Sequence, residues 1–302
     1  MPYLPEGQLT QERRYEQAEL NAACLTKRIL WARAYLFDAA RRLHFHLGCY
    51  EGIMPFEESA LEAASGGIRD IAVIGRVGRM TCFAVKEITT NENDEPIAIL
   101  SRAEAQQRCK EEYFDLLEPG DVIPATVTSI ESFGAFCDVG CGLISLLPID
   151  YLSVSRIRTP MDRVSIGQNI HCVIRKRDEF GRLVLSMKEL LGTWDENAGR
   201  FGIGETVIGR VRGIESYGVF VELAPNLAGL AELRQDVAVG DCVSVYIKSI
   251  LEEKMKIKLI ILSKLEQQLP PPELEYTQTS GRITRWNYAS AASGRAMETV
   301  FL

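Results

Sequence analysis

Apolar and polar residues alternate along much of the chain from residue 120 onwards. Alternating apolar positions mark a first run at Val122, Ala125, Val127 and Ile130, and later runs at Ala135, Cys137, Val139, Ile170, Cys172 and Ile174. Alternation with a period of two is typical of strands that have one buried face. Turns such as EFGR at residues 179–182 separate the runs. Short strands joined by glycine-containing turns predict a mostly β protein.

The alternating region is written twice. GDVIPATVTSIESFGAF begins at Gly120 and GETVIGRVRGIESYGVF begins at Gly204, so the two copies are 84 residues apart. A unit of about 70 residues with several short strands is typical of a five-stranded Greek-key barrel of the OB type. A small β-sandwich is the alternative that the pattern leaves open.

An eroded third copy lies upstream, between residues 22 and 102. Its run GIMPFEES lines up with GLISLLP of the copy that begins at Gly120, and this alignment puts Arg41 and His44 over Phe133 and Phe136. We therefore expect a first barrel that has lost the aromatic residues of the other two.

Each copy ends on Leu-Ser with a glutamate three residues later. The pairs are Ser101 with Glu104, Ser186 with Glu189, and Ser263 with Glu266. A serine followed at this spacing by glutamate predicts a capping box, in which each side chain bonds the other residue's backbone at the start of a helix. We therefore expect a helix directly after each barrel.

The fold class that follows is mostly β, with tandem five-stranded OB-type barrels joined by short helices. The predicted segments are an N-terminal arm or weak helix at 1–21, a degenerate barrel at 22–102, a linker helix at 103–117, a complete barrel at 118–193, a shortened barrel at 200–266 and a tail at 267–302. The tail follows a PPP run and is rich in Gly, Ser and Ala. This composition is typical of a disordered segment, and contact with RNA or with a partner is the alternative.

Two aromatic residues flank a glycine in both complete copies, as FGAF at 133–136 and YGVF at 217–220. Glycine favours a bulge, which would bring both rings of a copy to one face. Rings exposed on a barrel form a platform on which unpaired bases stack. Burial of the same rings in the barrel core is the alternative.

These copies, continued by IGQNIHCVIRKRDEFGRLVLSMKELLGTW in the first and VGDCVSVYIKSI in the second, resemble the RNA-binding repeat of the bacterial ribosomal protein S1 family. The resemblance covers residues 22–266 and implies a cytoplasmic RNA-binding protein of translation. Its implied partners are single-stranded mRNA and the small ribosomal subunit, the latter through residues 1–117. The family's base-contacting aromatic positions match Phe133, Phe136, Tyr217 and Phe220.

Cations beside the rings would attract phosphates and make cation–π contacts. The candidates are Arg156, Arg158, Arg175, Lys176 and Arg177 in the middle copy, with Arg210 in the last. The resemblance adds Arg182, which matches the family's basic residue before the final strand, and Lys258, which occupies that region in the last copy. The loop that carries Arg156 and Arg158 makes the middle copy the better RNA candidate. A solvated turn with scattered charges is the alternative interpretation of this loop. The last copy lacks this loop, and Glu232, which would repel phosphate, stands where the family often has histidine; Ser145 holds that place in the middle copy.

Charge and chemistry narrow the function classes. The net charge of −7 at first argues against binding of nucleic acid, but the distribution of the charges along the chain matters more than their sum. Residues 1–117 carry 14 Lys or Arg against 18 Asp or Glu, whereas residues 118–193 carry 8 against 9 and residues 200–266 carry 9 against 9. A basic face can therefore exist in the later copies.

We expect no metal, cofactor, small-molecule substrate or membrane contact. Cys137 and Cys141 are the only closely spaced cysteines and favour buried thiols over zinc. His44 and His46 lack a third ligand, and the chain has no GxxxxGK phosphate loop, so an enzyme is not expected. Two alternatives to an RNA-binding translation protein are a protein-interaction scaffold and a regulator of RNA decay or transcription.

Overall fold

The computed structural model describes residues 3–267, 270 and 273–302. Residues 1 and 2 of the predicted arm, and 268, 269, 271 and 272 of the predicted tail, lie outside the described residues. Within the described part, the chain forms three closed five-stranded barrels and a two-stranded sheet. The predicted mostly β fold with tandem OB-type barrels is confirmed, since closed sheets exclude the open sandwich.

The strands of the three barrels follow one order. The first barrel has β1 (Leu30–Phe37), β2 (Arg42–His46), β3 (Glu51–Pro55), β4 (Met80–Thr90) and β5 (Pro96–Ser101). The middle barrel has β6 (Val122–Glu131), β7 (Gly134–Asp138), β8 (Ile144–Pro148), β9 (Asn169–Arg177) and β10 (Leu183–Ser186). The last barrel has β11 (Thr206–Glu215), β12 (Gly218–Ala224), β13 (Leu227–Ala231), β14 (Cys242–Leu251) and β15 (Lys256–Lys264). In each barrel the third strand pairs in parallel with the fifth, and the fifth pairs with the fourth.

Helices are short. They are α1 (Gln17–Thr26), α2 (Asp70–Ile74), α3 (Arg102–Glu112) and α4 (Trp194–Ala198), and the two-stranded sheet consists of β16 (Arg285–Asn287) and β17 (Glu298–Val300).

The alternation of apolar and polar residues in the sequence explains which side chains fill the barrel interiors. On β15, for example, Ile257, Leu259 and Ile261 are buried, while Lys256, Lys258 and Ile260, which alternate with them, are exposed.

The chain divides into two compact units. The first comprises residues 1–117, 124–126 and 138–144, and the second comprises 118–123, 127–137 and 145–302. The strands of each barrel fall inside the ranges predicted for it, but most of the middle barrel shares one unit with the last barrel and the C-terminal segment.

The N-terminal segment differs from the predicted arm or weak helix. Instead, α1 begins only at Gln17, and Glu6 is buried among ion pairs. Arg102 donates to both carboxylate oxygens of Glu6, at 2.7 and 3.0 Å, and Arg76 donates to it as well. The segment is fixed by a buried charge, which a hydrophobic pattern cannot reveal.

This carboxylate makes the stability of the first unit depend on pH. Burial works to raise the pKa of Glu6, but the charges of Arg102 and Arg76 outweigh it and lower the pKa to about 2. Because the folded value lies below the unfolded one, the ion pairs stabilise the fold fully above about pH 4.5 and are lost as the pH falls towards 2. Asp138 shifts the other way: burial and the charge of Glu6 raise its pKa to about 7, so its stabilising contribution fades as the pH rises from about 4 to 7.

We expect the unfolding free energy to fall between about pH 4 and pH 2.5, and to fall less steeply in Glu6→Gln. Urea unfolding at the two pH values measures the difference. Glu12→Gln, which alters an exposed pair with Arg33, is the matched control and should keep the original slope. Equal slopes in Glu6→Gln and the unmodified chain would contradict the assignment.

Only one of the three predicted helix starts is found. Ser101 caps α3 and accepts a hydrogen bond from the backbone of Glu104 at 2.9 Å. After Ser186 only a single 3₁₀ turn forms, and the Ser186 hydroxyl donates to Glu189. Ser263 lies inside β15, so the prediction of a third helix is wrong. Pairing with β14 continues through this serine and outweighs the local capping signal.

The C-terminal segment is ordered from residue 273 on, and the predicted disorder is wrong for it. Its backbone continues the middle barrel, because Ile283 donates to Gly120 and Val122 donates to Gly281, at 2.8 and 2.9 Å. Phe301 packs on the apolar surface of this barrel, and Tyr288 packs on that of the last barrel. A few aromatic anchors and main-chain hydrogen bonds order a segment whose composition suggests disorder.

A buried ion network joins the middle and last barrels. Arg163 has no exposed side-chain surface and donates to both oxygens of Glu222, at 3.0 and 2.8 Å. Arg212 donates to the same carboxylate at 2.9 Å and pairs with Asp162 at 2.9 Å. Two positive and two negative charges therefore balance inside the second unit.

Candidate nucleic-acid interface

Both predicted ring pairs lie on the surface in the same arrangement. The ring centroids of Phe133 and Phe136 are 6.0 Å apart with an interplanar angle of 89°, and those of Tyr217 and Phe220 are 6.0 Å apart at 88°. Phe133 and Tyr217 expose 53% and 66% of their surface, and the second ring of each pair is half-buried. Each pair offers one open ring face supported by a second ring at its edge.

Glycine is required between the rings because another strand comes close. A Cβ atom at Gly134 would lie 2.5 Å from the carbonyl oxygen of Leu147, and one at Gly218 would lie 2.6 Å from that of Ala231. Any side chain at these positions would push the neighbouring strand away. The glycine therefore fixes the turn that carries the exposed ring.

A row of outward side chains crosses the last barrel from the rings to a lysine. Phe220 pairs with Leu230, and Leu230 pairs in parallel with Lys258. Lys258 is exposed, as the alternation of β15 predicts. In the middle barrel, Leu146 pairs with Val184 and Val184 pairs with Lys176, which is also exposed. Each row thus carries a cation.

The other predicted cations of the middle barrel are engaged. Arg175 donates to the carbonyl of Val300 at 3.1 Å and lies over Phe301, so the C-terminal segment covers it. Arg182 pairs with Asp178 at 2.8 Å and stacks over the exposed Phe180. Their expected place beside Phe133 and Phe136 is not supported by these contacts.

Two more predicted cations contact the backbone. Arg177 donates to the carbonyl of Gly181 at 3.2 Å, inside its own turn. Arg210 of the last barrel donates to the carbonyl of Pro270 at 3.2 Å.

Arg156 and Arg158 lie against a different ring pair from the one that the sequence suggested. Both are exposed, and both line a groove together with Tyr217 and Phe220 of the last barrel. The same groove is lined by Arg295, which the sequence analysis did not select. No local pattern around Arg295 marks it, because only the folding of the C-terminal segment brings it there.

The position where the family often has histidine differs between the two copies. Ser145 is buried, and its hydroxyl has no hydrogen-bond partner among the described residues. Glu232 is exposed on the last barrel.

The first barrel keeps an aromatic surface of another kind. His44 pairs with Ile53, and Ile53 with Ile99, so His44 occupies the place that Phe220 has in its row. Its ring nitrogens lie 2.9 Å from Asp38 and 3.2 Å from Glu51.

A stacked pair accompanies this histidine. The rings of Tyr35 and His46 are 3.8 Å apart at 9°, and the Tyr35 hydroxyl donates to Glu51 at 2.6 Å. The sequence analysis missed this pair, since its two rings come from different strands. Burial and the Glu51 carboxylate raise the pKa of Tyr35 to about 12. Carboxylates beside the rings make this surface unfavourable for phosphate.

Cys137 and Cys141 are both buried as free thiols. Among the described residues, no group of three or more His, Cys, Asp or Glu side chains could hold a metal ion. None of the helices in the described ranges has the length and apolar character needed to span a bilayer.

The S1 RNA binding domain family matches residues 116–188, which form the middle barrel. Small ribosomal subunit protein bS1 of Staphylococcus aureus (strain COL) is 31% identical over 218 residues, covering 67% of this chain and 54% of that protein. Protein bS1 of Streptococcus pneumoniae (strain ATCC BAA-255 / R6) is 34% identical over 165 residues, covering 53% of this chain and 40% of that protein. The chain spans about half the length of the curated relatives it matches.

A crystal structure of a multidomain protein with nucleic acid binding domains from Streptococcus pneumoniae covers 78% of this chain and 73% of its own, at 13% identity and a TM-score of 0.26. A score this low supports no inference about this chain. The predicted resemblance to ribosomal protein S1 rests on the family and sequence matches and is confirmed by them. The matched family and these relatives are an RNA-binding domain and ribosomal proteins, not an enzyme class.

Proposed function

We propose that the chain is a cytoplasmic RNA-binding protein of translation that holds single-stranded mRNA on its middle and last barrels. The observation that carries the proposal is the pair of exposed ring platforms with matching geometry, at 6.0 Å and 89° and at 6.0 Å and 88°. Every base has a flat aromatic face, so such platforms bind unpaired strands with little regard to sequence. The match to the S1 RNA binding domain supports the same conclusion.

Phosphate contacts come from the exposed cations in line with the rings. Lys258 lies two strands away from Phe220 in its row, and Lys176 lies in the corresponding row of the middle barrel. A backbone that follows such a row would place bases on the rings and phosphates near the lysines. No cofactor, metal or catalytic group takes part.

Residues 1–117 are proposed to contact the small ribosomal subunit. They carry a net charge of −4, from 14 Lys or Arg and 18 Asp or Glu. His44 stands at the ring position and is held between Asp38 and Glu51. An acidic surface without an open platform suits contact with basic proteins better than contact with RNA.

Titration of a labelled, unstructured RNA at several salt concentrations tests the proposal. We expect the logarithm of the binding constant to fall linearly with that of the salt concentration, with a slope of about −0.7 for each phosphate neutralised. A perfect RNA duplex is the control and should bind more weakly, because its bases are not free to stack. Absence of binding to the single strand at low salt would refute RNA binding.

Sedimentation with small ribosomal subunits tests the second part. We expect one variant to lose binding of free RNA but still to sediment with the subunit. It carries the four substitutions Phe133→Ala, Phe136→Ala, Tyr217→Ala and Phe220→Ala. Loss of both together would contradict the proposed role of residues 1–117.

A further inference from the structure

A groove of about 980 Å³ opens beside the ring pair of the last barrel. Three parts of the second unit form it. Residues 154–158 of the middle barrel's loop supply one wall, Tyr217 and Phe220 of the last barrel supply another, and Arg295 and Met297 of the C-terminal segment complete it. We call this space the arginine groove.

The charges in the arginine groove are mostly positive and free. Arg156, Arg158 and Arg295 are exposed, and none of the described residues forms an ion pair or hydrogen bond with their guanidinium groups. Only backbone N–H groups are engaged, that of Arg158 with Asp162 and that of Arg295 with Ser293. Arg212 also lines the groove, but Glu222 and Asp162 neutralise it. Glu215 is the one carboxylate among the lining residues. Three unpaired guanidinium groups therefore line the same groove as an exposed aromatic ring.

This arrangement favours the last barrel as the RNA candidate, whereas the sequence suggested the middle barrel. In the middle barrel, Arg175 is covered by Phe301 and Arg182 is paired with Asp178. The loop with Arg156 and Arg158 belongs to the middle barrel by sequence, yet its cations lie with Tyr217. The last barrel lacks such a loop of its own and uses that of its neighbour.

We propose that the arginine groove is a composite site for single-stranded RNA, in which a base stacks on Tyr217 while Arg156, Arg158 and Arg295 bind the adjoining phosphates. This inference rests on the proposed RNA-binding function and adds a site assembled from two barrels and the C-terminal segment. Guanidinium groups fit the occupant, because they bind phosphate oxygens in pairs and also stack on bases. Half-buried Phe220 supports the edge of the Tyr217 ring.

Fluorescence anisotropy with a labelled oligouridylate and the full chain tests the site. The variant Arg156→Ala, Arg158→Ala should weaken binding about tenfold or more, since each arginine–phosphate contact is a hydrogen bond between charged groups. Its salt slope should become less negative by about 1.4, for two phosphates. Arg295→Ala should weaken binding in the same direction and change the slope by about half as much.

The matched control is Arg14→Ala, Arg69→Ala, which removes two exposed arginines from the first unit. It should change the affinity and the slope much less. All substituted residues are exposed, and unchanged thermal unfolding would verify that the variants fold. Photo-crosslinking with 4-thiouridine in the oligonucleotide should label the peptides that contain Tyr217 and residues 154–158.

The outcomes separate the two proposals. If the Arg156 and Arg158 variant behaves like the control while Phe133→Ala, Phe136→Ala still weakens binding, the composite site is refuted and RNA binding stands. If the unmodified chain does not bind oligouridylate, the proposed function itself is refuted. If a polyglutamate peptide binds and is lost in the Arg156 and Arg158 variant while RNA affinity is unchanged, the groove is a peptide site and the proposal is overturned.

Discussion

Replacing Phe133 and Phe136 together by alanine is expected to weaken binding of unstructured RNA by about 2–6 kcal/mol, because each stacked base contributes about 1–3 kcal/mol. The exposure of Phe133, at 53%, leaves a ring face open to a base. Phe136 meets the first ring edge-on and is half-buried, so it supports Phe133 and leaves part of its own ring accessible. Measured dissociation constants at one low salt concentration give the free-energy difference.

The control for this variant is Tyr35→Ala in the first barrel. Tyr35 is an aromatic residue with 41% exposure, and it lies beside Glu51 rather than beside free cations. Its removal should leave RNA affinity unchanged. Unaltered affinity in the Phe133 and Phe136 variant would reject the platform of the middle barrel.

Glu222→Gln is expected to destabilise the second unit by about 3–5 kcal/mol, the usual cost of removing one partner of a buried ion pair. Arg163 is fully buried and finds its countercharge in this carboxylate, at 2.8 and 3.0 Å. Glutamine keeps the shape but leaves Arg163 with an uncompensated charge in a poorly solvated site. Urea unfolding, followed by tryptophan fluorescence, measures the change, since Trp194 packs in the core of the last barrel.

Asp236→Asn serves as the control, because Asp236 pairs with Arg234 on the surface and both are solvated. Its unfolding free energy should stay close to that of the unmodified chain. If Glu222→Gln unfolds like this control, the buried network does not hold the two barrels.

The barrels could be predicted because their information is local and repeated. Alternation on β9 identified the buried residues Ile170, Cys172 and Ile174, and the repeated aromatic–glycine line located both turns. The helix starts were less predictable, because a serine–glutamate pair is compatible with a strand when pairing continues, as at Ser263. Thr193, whose box with Glu196 does cap α4, was overlooked.

The site was predictable only in part, for a related reason. The rings follow from the repeated aromatic–glycine motif, and the exposure of Lys258 follows from the alternation of its strand. The partners of Arg156 and Arg175 depend on segments far away in sequence: the last barrel for one, and Phe301 for the other. Tertiary placement of this kind leaves no local trace in the chain.

The main-chain hydrogen bond from Val122 to Gly281 also has a consequence for the synthesis of the protein. At translation rates of about 5–20 residues per second, Val122 waits roughly 10–30 s for that partner to be synthesised. Meanwhile the apolar patch that Phe301 later covers, with Val173 and Leu190, stays open to water. Exposed apolar surface on a nascent chain favours chaperone binding, and this patch is covered only after Phe301 has been synthesised.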